Sequence, residues 1–227
     1  MIKGLYYITT DYYTELYEKY FLPTAKKTNL ELIEYKAPVD GGYFDAKFKK
    51  IINFKLEKII ESISELDNSF VIWSDVDLFF YKPSLLVPDL QSRIGIADIL
   101  ISPEWMPKAR HRNRFNRRIK GDFCNTGFMV IKKNEVCMAF FKEVLRTCKE
   151  RNWTEQPVIN EFIKNGFPII FHPLPDIYWN ITLGFPVSPH TIMAHANWIR
   201  DYSGKDTIER KINAFKHIKK FLPKVYV

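Results

Sequence analysis

The sequence predicts an α/β fold, a layered sandwich around a mainly parallel sheet. Three observations carry this. Short apolar runs of strand length, such as "GLYYIT", "FVIW" and "GFMVIKK", recur along the 227 residues. Between them lie segments whose apolar residues return at helical spacing. The runs are nearly continuous in apolar residues, as expected of strands covered on both faces. Strands alternating with helices are the pattern of crossover connections. No internal repeat and no low-complexity linker interrupts it, so one domain over residues 1–227 is expected. Its ligands should gather where strands end at their carboxyl edge.

The elements follow in order. "GLYYIT" is a first strand. Tyr13, Leu16, Tyr17, Tyr20 and Phe21 then fall on one helical face, with Pro23 just beyond. "NLELIEYK" is a second strand, and Gly41-Gly42 marks a loop. Phe44, Phe48, Ile52, Leu56, Ile59 and Ile63 form the stripe of a long helix. Phe70 to Trp73 is a buried strand, "ADILISPE" (Ala97 to Glu104) another and Gly127 to Lys133 a third. Glu135 to Asn152 reads as a helix with Cys137, Phe140, Phe141, Val144, Leu145 and Cys148 on one side. Thr154 is placed to cap a short helix to about Asn165. "FPIIFHPL" is a further strand. The last helix starts near Asp206, with Ile208, Ile212, Phe215 and Phe221 as its stripe.

Composition excludes several classes. No apolar run approaches the ~20 residues that cross a bilayer. The start "MIKGLYYITT" lacks a basic region followed by a long apolar one, so it reads as a strand rather than a secretion signal. Three widely spaced cysteines, Cys124, Cys137 and Cys148, argue against a disulfide framework and for a reducing compartment. Net charge is +8, and "PKARHRNRFNRRIKG", Pro107 to Gly121, contributes Lys and Arg without an acid. That stretch reads either as a solvated loop, as a loop closing over an anionic ligand, or as a nucleic-acid arm. No nucleic-acid motif accompanies it.

"FVIWSDVDLFFYKP" sets Asp75 and Asp77 between greasy runs, at the carboxyl end of a buried strand. Side chains two apart on an extended chain share a side. Two carboxylates so placed repel unless a cation neutralises them, and Mg²⁺ or Mn²⁺ suits oxygen ligands. A turn or capping pair is the competing reading. Lys55 interrupts the apolar stripe of its helix, three residues after Ile52 and four before Ile59. It either snorkels to the helix edge or serves as a cation aimed at phosphate or sugar. "GDFCNTGFMVI" places Asp122, Asn125 and Thr126 just before a buried strand, where Gly127 allows close backbone approach. This is a site loop or an ordinary turn. Glu155 and Gln156 lie in a helix's first turn, where an acid also suits the dipole. His172 and His190 read as structural.

Taken together, these pieces resemble the nucleotide-diphospho-sugar transferase domain family, glycosyltransferases of the GT-A fold. The matching blocks, in order, are the lysine-bearing helix, "VIWSDVDLFFYKP", "ADILIS", "CNTGFMVIKKN", "TEQPVINEFI", and "HANW" followed by a lysine-bearing helix. They run to about Lys211. The resemblance implies a GT-A, Rossmann-like three-layer sandwich. Its nucleotide-binding part would span roughly residues 1–100 and its acceptor and sugar part roughly 101–227. It implies transfer of a sugar from a nucleotide-diphosphate donor, a UDP- or GDP-sugar, to an acceptor hydroxyl on a glycan or other molecule. Mn²⁺ or Mg²⁺ would assist.

The implied roles follow position by position. Asp75 would mainly serve the nucleotide, Asp77 would hold the metal most directly, and His195 would be its third ligand. Lys55 would contact donor sugar or phosphate. Asn125 and Thr126 would line the sugar pocket. Gln156 with Glu155 matches an acid-glutamine pair near the reacting carbon, although many relatives carry Asp in place of Glu155. Thr9, Thr10 and Asp11 would hold the nucleoside. Lys211 and Lys205 compete for the phosphate, with Lys211 favoured. Retention of anomeric configuration and a cytoplasmic setting, bacterial or viral, are the further expectations. The rival readings are an inactive nucleotide-binding module of the same fold, a basic nucleic-acid-binding protein, and a nucleotidyltransferase. The last would normally carry a glycine-rich phosphate loop, which "GLYYITTDYY" does not supply.

Overall fold

The computed structural model describes residues 1–41, 47–103, 124–175, 177–180, 190–196 and 207–221. The basic stretch Pro107 to Gly121, together with Phe44, Asp122, Asn197, Trp198, Lys205 and Asp206, lies outside them.

Strand β1 (Ile2–Thr9) leads into a continuous helical segment over residues 11–28, which includes the short helices α1 (Thr14–Leu16) and α2 (Leu22–Ala25). Strand β2 (Glu31–Lys36), helix α3 (Phe48–Ser62), strands β3 (Phe70–Ser74) and β4 (Leu78–Phe80) and helix α4 (Pro83–Ile94) follow. Next come β5 (Ile99–Pro103), β6 (Cys124–Lys132), α5 (Glu135–Arg151) and α6 (Glu155–Lys164). Strands β7 (Phe171–Pro173), β8 (Tyr178–Asn180) and β9 (Met193–His195) and helix α7 (Thr207–Phe221) close the chain.

The main sheet has the order β2-β1-β3-β6-β5-β7, and β4-β9-β8 form a second, smaller sheet. In the main sheet β1 pairs in parallel with β2 and β3, and β5 in parallel with β7. Strand β6 runs against both its neighbours, β3 and β5. The expected mainly parallel sheet is therefore present, with one reversed strand in its middle.

Alternation along the central strands separates two cores. Phe70 and Ile72 of β3, and Phe128 and Val130 of β6, join one cluster with Leu86 and Leu90 of α4. Val71, Trp73, Met129 and Ile131 face the other side. There they meet Leu56 and Ile59 of α3, Phe140 and Phe141 of α5 and Val158 of α6. Side chains on successive strand residues point to opposite faces, so each strand serves both cores. A third cluster seats Ile212 and Phe215 of α7 on Leu16, Tyr20, Phe79 and Tyr81.

Local chemistry explains where boundaries moved. The first helical segment runs through Pro23 rather than ending before it. Pro23 has no N–H and crowds the turn before it. That turn, Tyr17–Phe21, widens to a π-helix, and the Thr24 hydroxyl donates to the carbonyls of Tyr20 and Phe21, each at 3.0 Å. Helix α4 has no counterpart among the expected elements. Pro83 opens it, since proline at the first helical turn loses no bond, and Pro88 lies inside it. Helix α5 is capped by Asn134, whose side chain accepts from the Cys137 N–H at 2.8 Å. It ends on Asn152 in the left-handed region, φ 53°. Thr154 occupies the cap position of α6 but makes no side-chain cap bond. "FPIIFHPL" yields only the short edge strand β7. Before it the chain turns, with Phe167 N–H bonded to Phe162 O at 3.0 Å.

All three cysteines are free and buried. Burial pushes the Cys137 and Cys148 thiols up to about 12, with the Asp98 and Glu155 carboxylates respectively adding to the effect. The native state thus holds both protons above the ordinary thiol value of 9.0. Stability therefore falls as pH climbs from about 9 toward 12. At pH 8 both thiols are expected to alkylate on the order of 10³-fold more slowly than free thiols, because the thiolate is the reactive form. Pulsed iodoacetamide labelling with and without urea, read by mass spectrometry, checks this. Equal rates in both conditions would refute it.

Candidate active site

The site forms where β3 ends. The Asp75 N–H donates to Gly127 O at 2.7 Å, which ties the strand's exit to β6. Because β6 runs antiparallel, its beginning lies beside the end of β3, with Ser74 opposite Phe128. "CNTG" is therefore part of β6 rather than a loop before it, and it reaches the carboxyl edge through strand reversal. Asp75 and Asp77 are not on one extended face either. The chain bends at Val76 and Asp77, and the two carboxylates take different partners.

Asp75 meets Lys55. This lysine comes from α3, is buried, and donates to Asp75 Oδ1 at 2.8 Å, Thr126 O at 3.1 Å and Glu155 Oε1 at 3.2 Å. It does not snorkel. Burial alone would lower its pKa, but the Asp75 and Glu155 carboxylates outweigh that and hold it above the ordinary lysine value. Glu155 is buried and also accepts from the Thr126 hydroxyl at 2.9 Å. It acts as an internal counter-charge in addition to standing in the first turn of α6. Asp75 keeps 41% of its side chain exposed, so it faces both Lys55 and solvent.

Asp77 meets His195 and Lys211. It is buried, its Oδ2 is in direct contact with Lys211 Nζ, and its Oδ1 lies 3.0 Å from His195 Nε2. Burial would raise its pKa, but the Lys211 and His195 charges hold it well below the usual carboxylate range. His195 arrives through the small sheet, where it stands opposite Leu78, and the Ala196 N–H donates to Asp77 O at 2.9 Å. Lys211 comes from α7. One ligand atom from each of Asp75, Asp77 and His195 lies within 4.8 Å of the other two. Gly127 is required beside them, since a Cβ there would stand 2.2 Å from His195 Cε1.

Between these two groups lie Asn125 and Gln156. Gln156 Oε1 accepts, at 3.4 Å each, from Asn125 Nδ2 and the Thr126 N–H. Asn125 Oδ1 accepts from the Gly127 N–H at 2.8 Å. Asn160 was not anticipated. It stands one turn after Gln156, accepts from the Cys124 N–H at 2.7 Å and donates to Cys124 O at 2.9 Å. It thus fastens α6 to the start of β6. Its signal was a polar residue four after Gln156, on the same helical face.

At the end of β1 the expected trio divides. The Thr9 hydroxyl donates to Glu34 at 2.8 Å, and Tyr17 donates to the same carboxylate at 2.6 Å. Thr10 is buried, and its hydroxyl has no partner among the described residues. Asp11 is exposed and pairs with Lys36 at 3.2 Å.

Against known proteins, the family model for nucleotide-diphospho-sugar transferases matches residues 28–207. The chain belongs to that family. It is a glycosyltransferase, and its fold is the GT-A fold. No curated relative matches it. Among solved structures, it is similar to a glycosyltransferase involved in glycosylation of the major capsid of PBCV-1, with TM-score 0.59 and 13% identity. That likeness covers 95% of this chain and 98% of the other. It is also similar to the glycosyltransferase GlyE of Streptococcus pneumoniae TIGR4, with TM-score 0.52 and 13% identity over 97% of this chain and 65% of that one. No described helix is long and apolar enough to cross a membrane.

In this transferase Lys55 holds two carboxylates, one of them fully enclosed. Lys55→Met leaves Glu155 buried without its cation, and breaking a buried pair from one side costs about 3–5 kcal/mol. Urea unfolding should show a loss of that order. A loss under about 1 kcal/mol would mean that Glu155 finds water or a proton easily. The double change Lys55→Met with Glu155→Gln should recover most of the loss, by the logic of coupled neighbours.

Proposed function

We propose that this transferase moves a sugar from a nucleoside-diphosphate donor, a UDP- or GDP-sugar, to a hydroxyl of a glycan or other acceptor. A divalent cation at Asp75, Asp77 and His195 takes part. The convergence of these three ligand atoms within 4.8 Å carries the reading. The donor set fits the ion. Asp77 Oδ1 is buried and lies 3.0 Å from His195 Nε2. A carboxylate oxygen and an imidazole nitrogen brought this close are placed to serve one cation. Two carboxylates and an imidazole suit Mn²⁺ or Mg²⁺. When bound, the cation supplies Lewis-acid stabilisation of the diphosphate leaving group.

The chain's own residues do the rest. Lys211 offers positive charge to the donor's phosphates, while Lys55, whose ammonium is taken up by Asp75, Thr126 and Glu155, acts through Asp75. Thr9, Thr10 and Asp11 border the place for the nucleoside, with Asp11 the exposed member of the three. Asn125, Thr126 and Gln156 form a neutral wall for the sugar. Inversion requires a base opposite the leaving group. Gln156 is an amide, and Glu155 is committed to Lys55 and Thr126. Neither is suited to that task, which supports retention. The free cysteines favour a reducing, cytoplasmic setting.

Asp77→Asn should lower kcat by about 10²–10³, the scale of losing one preorganised charge contact, with the circular dichroism spectrum unchanged. EDTA should stop the wild type, and added Mn²⁺ or Mg²⁺ should restore it. Full turnover in EDTA would overturn the metal assignment. A screen of UDP-, GDP- and TDP-sugars identifies the donor, and ¹H NMR of the first product should show the donor's anomeric configuration.

A further inference from the structure

We infer that Lys211 is the resident counter-ion of Asp77 in the ligand-free protein, and that metal and nucleotide therefore bind as a coupled pair. This rests on the reading of Asp75, Asp77 and His195 as a cation site.

Asp77 makes a contact that a metal site does not need. Asp77 Oδ2 touches Lys211 Nζ, and both side chains are largely withdrawn from water, at 10% and 11% exposure. A carboxylate so enclosed requires a counter-charge, and Lys211 provides one without any ligand. The lysine is delivered, not drifting. Ile212 and Phe215 lock α7 onto Leu16, Tyr20, Phe79 and Tyr81, with the Tyr20 and Phe215 rings stacked 5.5 Å apart. The ammonium also lies 5.8 Å from the centre of the Tyr13 ring, within cation–π reach. It thus has an aromatic face and a carboxylate as neighbours.

The same carboxylate offers Oδ1 toward His195. A divalent ion drawing on Asp77 and His195 therefore sets two positive charges beside the Lys211 ammonium in a site of low polarity, where repulsion is strong. The metal alone leaves Lys211 without an anion. A nucleoside diphosphate alone draws Lys211 away and leaves Asp77 Oδ2 without its ammonium, with the His195 ring beside Oδ1. With both bound, the metal neutralises Asp77 and the diphosphate neutralises Lys211. Each ligand alone unbalances a charge pair, and the two together balance both. That is a positive coupling free energy, and it is reciprocal. Lys211 is here a positioning residue, and it transmits the coupling.

The experiment uses the full chain and Mn²⁺ detected by electron paramagnetic resonance, with and without UDP or GDP. In the wild type, one of the nucleotides should tighten Mn²⁺ binding at least about 10-fold, inside the usual allosteric range. Lys211→Gln should bind Mn²⁺ alone about 10-fold more tightly than the wild type, with the nucleotide effect reduced to less than about 3-fold. Lys211→Arg keeps the charge and should keep both weak binding of the lone metal and the coupling. Circular dichroism verifies folding. If Lys211→Gln does not fold, Lys211→Met takes its place. If neither folds, the wild type decides, since equal Mn²⁺ affinity with and without nucleotide overturns the inference. Unchanged or weaker affinity for lone Mn²⁺ in a folded neutral variant also overturns it, while leaving the metal site standing. Failure of every form to bind Mn²⁺ under any condition instead removes the metal site, and this inference with it.

Discussion

Four elements of this protein converge on one ammonium group. Lys55, on α3, binds the carboxylate of Asp75 at the exit of β3, the carbonyl of Thr126 on β6, and Glu155 at the head of α6. A lysine is enclosed this fully only when its charge is matched. The match requires α3 and α6 to pack on the same face of the sheet as Trp73 and Met129, which they do. It also requires β6 to begin beside the end of β3. In an all-parallel sheet Thr126 would lie at the opposite edge from Asp75. The reversal of β6 is thus the topological condition for the Lys55 cluster, and the cluster fixes the near wall of the site.

The second cluster is built differently. His195 and Lys211 come from the last part of the chain, on β9 of the small sheet and on α7, rather than from strands of the main sheet. A three-residue pairing of β4 with β9 sets His195 opposite Leu78, the residue after Asp77, and an aromatic contact seats α7. Gly127 joins the two clusters. Its carbonyl accepts from the Asp75 N–H, and its lack of a side chain makes room for the His195 ring. The two aspartates, one residue apart, therefore belong to opposite halves of the site. Asp75 is half open and held by a lysine that is part of the core. Asp77 is closed and held by a lysine on the helix that arrives last.

Much of this was legible in the sequence, for identifiable reasons. The buried strands announce themselves because strands covered on both faces are apolar throughout, as Phe70 to Trp73 and Phe128 to Ile131 are. Lys55 is conspicuous because a charge on an apolar stripe is costly unless paired. Asp75 and Asp77 stand out in the sequence as charges between apolar runs, and the resemblance adds His195; in the structure one ligand atom from each lies within 4.8 Å of the other two. What escaped was mostly non-local. Strand direction is not written in apolar runs, so the reversal of β6 and the place of "CNTG" within it were hidden. Helix α4 is hard to see because Pro83 and Pro88 fall within its short span, although a proline in the first turn loses no bond. The small sheet was hidden because strands of three residues are too short to show a period. Asn160 looks like any polar helix residue until its partner, the backbone of Cys124, is known.

The contrast between the clusters bears on how the fold divides its work. The Lys55 group is surrounded by the largest apolar cluster on its face and cross-linked by charge, so any movement there would expose both carboxylates at once. The Asp77 group depends on three ladder pairs and on the seating of one amphipathic helix. In folded proteins the elements that move on ligand binding come from the weakly held end of the stability range. By that criterion the wall carrying Lys55, Glu155 and Gln156 is the more firmly held of the two. The wall carrying His195 and Lys211 is held by fewer contacts. The bend between Asp75 and Asp77 is where the two meet, which is why a pair of carboxylates interrupts an otherwise apolar stretch of chain.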